Sequence, residues 1–177
     1  CSLGCPGCFN PHTHSKGGGR TIAIEVLAQR ILACSDIEGV TFSGGEPFEQ
    51  AAALHALARR LRPAGLSIFA FSGFTIEEIR SGSAAQKALL DACDVLVDGR
   101  YDPKRATPRL WRGSSNQRIH FLTSRHLDWL PRIERVERTI EFQIAPDGTV
   151  TITGFPDPRL ARDLLGERSA SKGAEGG

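Results

Sequence analysis

Three of the five cysteines of this chain crowd into its first eight residues, as Cys1, Cys5 and Cys8, with Pro6 and Gly7 between the last two. The Pro-Gly pair makes the segment a short loop, and three thiols in one loop need a partner. An odd cysteine count without a secretory signal pattern argues against a disulfide framework, so a metal site is the better reading. Three thiolates are one short of the four that close a structural zinc site or a simple electron-transfer cluster. Two sites satisfy that count. A four-iron cluster would keep one iron open to a substrate or cofactor. A zinc site would need a fourth ligand, and the Cys8-x3-His12 spacing offers His12 or His14.

The other two cysteines stand apart. Cys34 and Cys93 end the apolar helical patterns Ile31-Leu32-Ala33-Cys34 and Leu89-Leu90-Asp91-Ala92-Cys93. Both are expected to be plain core residues, since cysteine is among the most buried side chains.

From Thr21 onward, helix and strand patterns alternate. Residues 21–34 carry apolar side chains at helical spacing, and Gly39 to Ser43 is β-prone and runs into Gly44-Gly45. Phe48 to Arg62 is amphipathic and is closed by Pro63 and Gly65. Leu66 to Ser72 is the next strand, followed by Gly73. Helical segments at 75–80 and 84–92 lead to a third strand, Asp94 to Asp98, followed by Gly99. Near-continuous apolar strands between helices predict an α/β fold with a parallel sheet. Ligands bind at the carboxyl ends of such strands, where the three glycine positions fall together.

After residue 99 the rhythm breaks. A polar loop over 100–117 contains Trp111-Arg112-Gly113-Ser114-Ser115-Asn116-Gln117, which reads either as a hydrogen-bonded structural loop or as a wall or docking surface of the site. Residues 118–123 read as a strand. A hairpin is expected over 138–154, turning at Pro146-Asp147-Gly148. The small, polar end of the 161–177 tail is expected to be disordered. The 177 residues suit one domain, 1–160, able to bury roughly 70% of its unfolded surface. A net charge of +2 with interspersed signs gives no reason to expect nucleic acid, and no apolar run is long enough to span a membrane.

The motif Ser43-Gly44-Gly45-Glu46-Pro47 decides between the metal readings. With the cysteine triplet some 35 residues before it, the sequence resembles the radical S-adenosylmethionine (SAM) superfamily. The physics agrees: glycines bare a backbone that can meet a ligand ammonium, and Glu46 adds an acceptor or fixes the loop. Cys5-Pro6-Gly7-Cys8-Phe9-Asn10, Asp94-Val95-Leu96-Val97-Asp98-Gly99 and the 111–117 segment are similar to the activating proteins of anaerobic ribonucleoside-triphosphate reductases, over residues 1–123.

That resemblance implies a partial (β/α) TIM-like barrel, with a first strand expected before Cys1 and absent from this chain, which contains no Met. It implies that Cys1, Cys5 and Cys8 ligate a [4Fe–4S] cluster whose fourth iron takes the SAM amino and carboxylate groups. Ser43, Gly44, Gly45, Glu46, Pro47, Ser72 and Gly73 would line SAM. Arg100 would meet its carboxylate, Asp98 would orient a neighbour or hold a cation, and Phe9 would pack near adenine. Gly7 stands where the wider superfamily often has an aromatic residue. Reductive cleavage of SAM would give a 5′-deoxyadenosyl radical that takes hydrogen from a glycine of a partner reductase. The implied partners are that reductase and an electron donor such as a flavodoxin or ferredoxin, in the cytoplasm. Another glycyl-radical enzyme of formate-lyase type or a small molecule could replace the reductase. A zinc or iron–sulfur module without catalysis is the reading from another class. His55, His120 and His126 are expected to be bystanders, and Arg132 to Arg138 a solvated face.

Overall fold

The computed structural model describes residues 1–8, 10–15, 17–136 and 141–153, so Phe9 and the tail over 161–177 lie outside the described residues. The chain divides into two compact units, residues 1–137 and 138–177.

The first unit is built on a four-stranded sheet in the order β1 (Gly39–Phe42), β2 (Ser67–Phe71), β3 (Val95–Asp98), β4 (Arg118–Phe121). β1, β2 and β3 run parallel, with Thr41 opposite Phe69 and Phe69 opposite Val95. β4 pairs antiparallel with β3, Leu96 facing His120. The parallel part follows the expected alternation. The antiparallel strand does not, and its connection explains why: the helical structure of residues 99–117 is limited to a short 3-10 turn at Pro103–Arg105. A parallel return needs a crossover element, which this loop lacks. The sheet is therefore open and the fold is mixed α/β.

Alternation along the strands separates two faces. Val40, Phe42, Ile68, Ala70 and Leu96 pack with the helices into one apolar core. α1 (Ile24–Leu32) offers Ile24, Leu27, Ala28 and Ile31, and α2 (Ala51–Leu61) offers Leu54, Leu57, Ala58 and Leu61, both at helical spacing. α3 (Ile76–Ser81) and α4 (Ala84–Ala92) begin with full capping boxes, Thr75 with Glu78 and Ser83 with Gln86. On the opposite face Phe69 meets Trp111 at 4.9 Å edge-on, and Trp111 lies 5.2 Å from Trp129 and 6.4 Å from Phe121. Trp111 reaches this cluster from a backbone φ of +62°, which a bulky residue seldom adopts. The tryptophan of the 111–117 segment thus packs against the sheet.

Asp94 pins the other end of the sheet. Its buried carboxylate accepts the Ile68 N–H at 2.9 Å, the Arg62 guanidinium at 3.0 Å and the Thr123 hydroxyl at 2.8 Å. Burial pushes this carboxyl up, but those donors outweigh it and hold it below the usual aspartate value.

Cys93 meets the expectation of a core residue. It is buried, its thiol donates to the Leu89 carbonyl at 3.2 Å, and burial pushes its pKa up to about 12. Cys34 does not. It is exposed, because α1 stops at Leu32 and the apolar face formed by Ile24, Leu27 and Ile31 is not carried past Ala33. The second unit contains a hairpin of β5 (Glu141–Ile144) and β6 (Val150–Thr153), with Ile144 opposite Val150 and Gly148 at φ +83° in the turn. The hairpin expected over 138–154 is thus observed within 141–153. No helix among the described residues is long and apolar enough to cross a membrane.

Replacing Asp94 with Ala should lower stability by about 3 kcal/mol, because it strands a buried N–H, a hydroxyl and a guanidinium together. Urea denaturation of the metal-free protein measures this. The deficit should narrow as pH falls through the depressed pKa of Asp94, where the wild-type carboxylate also loses its charge.

Candidate functional site

The carboxyl ends of β1, β2 and β3 lie side by side, and the cysteine loop sits on them. Leaving β1, the chain passes through exposed Ser43 to Gly44, whose φ of +100° is open to glycine and strained for other residues. A Cβ there would lie 3.5 Å from Asn10 Nδ2, and one on Gly45 would lie 3.8 Å from Thr13 Cβ and 4.0 Å from Cys1 Cβ. At the end of β2, a Cβ on Gly73 would collide with Leu3 Cδ1, so this glycine is the seat of Leu3. Beyond β3, Tyr101 and Pro103 lie against Gly7, 3.5 and 3.8 Å from its Cβ position. All three strand ends touch the loop that carries the cysteines.

Hydrogen bonds fasten it further. The Cys1 nitrogen donates to the Thr13 carbonyl at 2.5 Å, and the Ser2 N–H donates to Glu49 Oε1 at 2.8 Å, joined there by the Ser2 hydroxyl. Within the loop, the Cys8 N–H closes a turn on the Cys5 carbonyl at 3.2 Å. The Asn10 N–H donates to Cys8 Sγ at 3.4 Å, the kind of bond that tunes a metal-bound sulfur.

The three thiols are half-buried and free of disulfides. Among the described residues no three His, Cys, Asp or Glu side chains are already gathered about one point. The fit is therefore judged on donor chemistry: three soft sulfur ligands within eight residues, on a loop with Gly4 and Gly7 both at positive φ, suit an iron–sulfur cluster. His12 and His14 occupy a single 3-10 turn, Pro11–His14, with His12 exposed; His14 Nε2 is buried without a hydrogen-bond partner.

Glu46 is the centre of the rim. It is buried, its Oε1 accepts the Phe48 N–H at 3.0 Å and the Ser72 hydroxyl at 2.8 Å, and its Oε2 accepts the Gly73 N–H at 2.8 Å. Ser72 Oγ in turn accepts the Phe74 N–H at 3.0 Å. These bonds lock the Gly-Gly-Glu-Pro loop to the end of β2, with buried Pro47 starting the next turn. Burial pushes the Glu46 carboxyl above its ordinary value, and the three hydrogen bonds only partly offset that.

Asp98 is fully buried and lies on the face of β3 that it shares with Leu96, the face packed against the helices. Both its oxygens take the Arg118 guanidinium, at 3.1 and 2.6 Å, and Oδ2 also accepts the Ile76 N–H at 2.6 Å. His120 Nε2 stands 3.1 Å away. Burial pulls this carboxyl up, but the Arg118 guanidinium, the Ile76 N–H and nearby His120 outweigh it and hold it below its usual range. Arg118 extends the pair outward to Glu77 at 2.5 Å and draws that exposed carboxyl down to about 2. Arg100 is exposed at the rim, its carbonyl held by Asn116 Nδ2 at 2.7 Å.

Glu49, Tyr101 and Arg118 were missed by sequence reasoning. Glu49 follows the glycine motif at one helical turn from Glu46, a spacing that could have flagged it. Arg118 and Tyr101 act across 20 and 94 positions of sequence, and no local pattern shows that.

A family model described as a 4Fe-4S single cluster domain matches residues 1–120. The anaerobic ribonucleoside-triphosphate reductase-activating proteins of Salmonella typhimurium and Escherichia coli K12 are each 33% identical over 131 residues, covering 69% of this chain and 83% of the relative. That of Vibrio cholerae is 35% identical over 132 residues, covering 70% and 83%. No solved structure matches the chain.

The raised pKa of Glu46 fixes the sign of a pH effect. Its contribution to stability is fully present below the unfolded carboxyl value of about 4.3 and is lost as pH rises through the folded value. The advantage of the metal-free wild type over Glu46→Gln should therefore be largest near pH 4 and shrink towards pH 7.5. Parallel urea melts test this, and an advantage that grows with pH would contradict the assignment.

Proposed function

The chain belongs to the family of anaerobic ribonucleoside-triphosphate reductase-activating proteins, and on that premise we propose that it is a radical SAM enzyme that installs a glycyl radical on an anaerobic ribonucleotide reductase. One observation carries this reading: the three-thiol loop rests directly on the glycines that end β1 and β2, so a group bound by the thiols would border bare backbone.

In this reading Cys1, Cys5 and Cys8 hold a [4Fe–4S] cluster. Such a cluster would supply the electron for reductive cleavage of SAM to methionine and a 5′-deoxyadenosyl radical, the species that would take hydrogen from the partner's glycine. The chain's own residues bind, orient and exclude water. Gly44 and Gly45 expose backbone to the SAM amino group, between exposed Ser43 and buried Pro47. Glu46, Ser72 and Gly73 fix the distance between the ends of β1 and β2. Its three donors commit Glu46 to holding that loop. Asp98 acts one step back, as the counter-ion of Arg118, and so steadies the β3 end that presents Arg100. The Arg100 guanidinium, exposed on the rim, is assigned to the SAM carboxylate. Phe9 is assigned to the adenine. The open sheet is read as part of a (β/α) barrel, the electron donor as a flavodoxin or ferredoxin, and the compartment as the reducing cytoplasm.

Anaerobic reconstitution with iron and sulfide should give a brown protein with about four irons per chain. Alanine at Cys1, Cys5 or Cys8 should abolish that colour, and dithionite-reduced wild type should release 5′-deoxyadenosine from SAM. Mixed with the co-encoded reductase, it should produce a glycyl radical by electron paramagnetic resonance. A colourless zinc protein would sink the enzyme reading, and SAM cleavage without the radical would move the target to another substrate. Arg100→Ala should weaken SAM binding about tenfold, the loss of one charge-assisted contact. Equilibrium binding to the reconstituted protein measures it, and unchanged affinity would remove Arg100 from the site.

A further inference from the structure

Tyr101 leaves the end of β3 and places its ring between two residues that have no side chain. On one edge, Cε1 lies 3.5 Å from the Cβ position of Gly7, inside the Cys5–Cys8 turn. On the other, Cδ2 and Cε2 lie 3.0 and 3.4 Å from the Cβ position of Gly113. A side chain at Gly113 would push the ring out of place, and Gly113 is itself held in place. Its N–H donates to Gln117 Oε1 at 2.7 Å and its carbonyl accepts the Thr107 N–H at 3.1 Å.

The backbone on both sides of Tyr101 is held by the same segment. Gln117 Nε2 donates to the Gly99 carbonyl at 2.9 Å, and Asn116 Nδ2 to the Arg100 carbonyl at 2.7 Å. The Asp102 N–H donates to the buried Ser114 hydroxyl at 3.1 Å. Gln117 Oε1 also takes the Ser114 N–H at 3.1 Å. Residues 113–117 therefore form a brace whose one unbonded product is the position of an aromatic ring against the turn between two cysteines.

We propose that Tyr101 is a positioning residue for the metal-binding loop: the Gly113–Gln117 brace seats its ring on Gly7 and thereby sets the spacing and solvent exposure of Cys5 and Cys8. This rests on reading those cysteines as metal ligands. The ring provides the contact, so Tyr101→Phe keeps it and Tyr101→Ala removes it. Gln117→Ala leaves the ring in the chain and loosens its brace. Solvent reaching a cluster stabilises its more negative reduced form and raises its potential.

Two measurements test the proposal. In the metal-free protein, alkylation of Cys5 and Cys8 by iodoacetamide, followed by mass spectrometry, should be about tenfold faster in Tyr101→Ala and intermediate in Gln117→Ala. Tyr101→Phe should match the wild type, and exposed Cys34 should react equally in all, as an internal control. In the reconstituted protein, Tyr101→Ala should lose its visible absorbance faster in air and titrate at a higher midpoint potential, with Tyr101→Phe again as wild type. Equal alkylation rates and potentials for Tyr101→Ala and wild type would overturn the proposal. So would Tyr101→Phe behaving as Tyr101→Ala, since the hydroxyl would then carry the effect. Should Tyr101→Ala not fold, Gln117→Ala decides on the same two readouts. Failure of the wild type to take up iron would refute the proposed function alone, because the alkylation rates still report whether the ring guards the turn.

Discussion

A carboxylate taken out of water costs several kcal/mol unless donors meet it, and the donors that meet Glu46 belong to two different strand ends. Its own loop supplies the Phe48 N–H; the end of β2 supplies the Ser72 hydroxyl and the Gly73 N–H. Withdrawing either set would leave a buried charge short of partners, so the two ends are held at one separation. The cysteine loop depends on that separation, because Cys1 and Thr13 lie on Gly45 while Leu3 lies on Gly73. Glu49, a turn later, completes the attachment by taking the Ser2 N–H. Two glutamates three residues apart thus divide the work, one fixing the rim and the other fastening the loop to it.

Glu46 and Asp98 are both buried at strand ends, yet burial shifts them to opposite outcomes. Glu46 meets donor dipoles and the like charge of Glu49, and desolvation wins. Asp98 meets the Arg118 guanidinium through both oxygens and the Ile76 N–H, with His120 close by, and these outweigh burial. The contrast follows from position. Glu46 sits between backbone segments that offer it N–H and hydroxyl donors. Asp98 lies on the helix face of β3, where antiparallel β4 brings Arg118 directly opposite it. Within the four-stranded sheet, the strand that departs from the parallel pattern is thus the strand that supplies the counter-ion.

Much of this was legible in the sequence. The parallel strands, their helices and the hairpin follow from periodicity and turn residues, which are local. The cysteine triplet and the Gly-Gly-Glu-Pro motif were legible because both are short runs whose chemistry is carried by residue type. What stayed hidden is what acts across distance. Nothing near Arg118 announces that it will neutralise Asp98, and nothing near Tyr101 announces Gly7. The 111–117 segment looked equally fit for a structural loop and for a wall of the site, and its residues divide between two tasks. Trp111 packs on the sheet, whereas Gly113 through Gln117 brace the rim loop. Cys34 departs from expectation because it lies two residues beyond the end of α1, where the helical spacing no longer holds.

Four of the five cysteines show why position outranks residue type. Cys93 follows α4 directly, surrounded by core, and its thiol is kept protonated by burial and bonded to its own helix. A thiolate there would be a buried charge, so this sulfur is closed to metal and to oxidant alike. Cys1, Cys5 and Cys8 lie in a loop that the strand ends support from below, half-buried, with an N–H already aimed at Cys8 Sγ. An N–H beside one sulfur and glycines that let the loop bend are features that thiolate ligation would use. The sheet contributes the same thing to both outcomes, a rigid edge. What differs is whether the chain has left it.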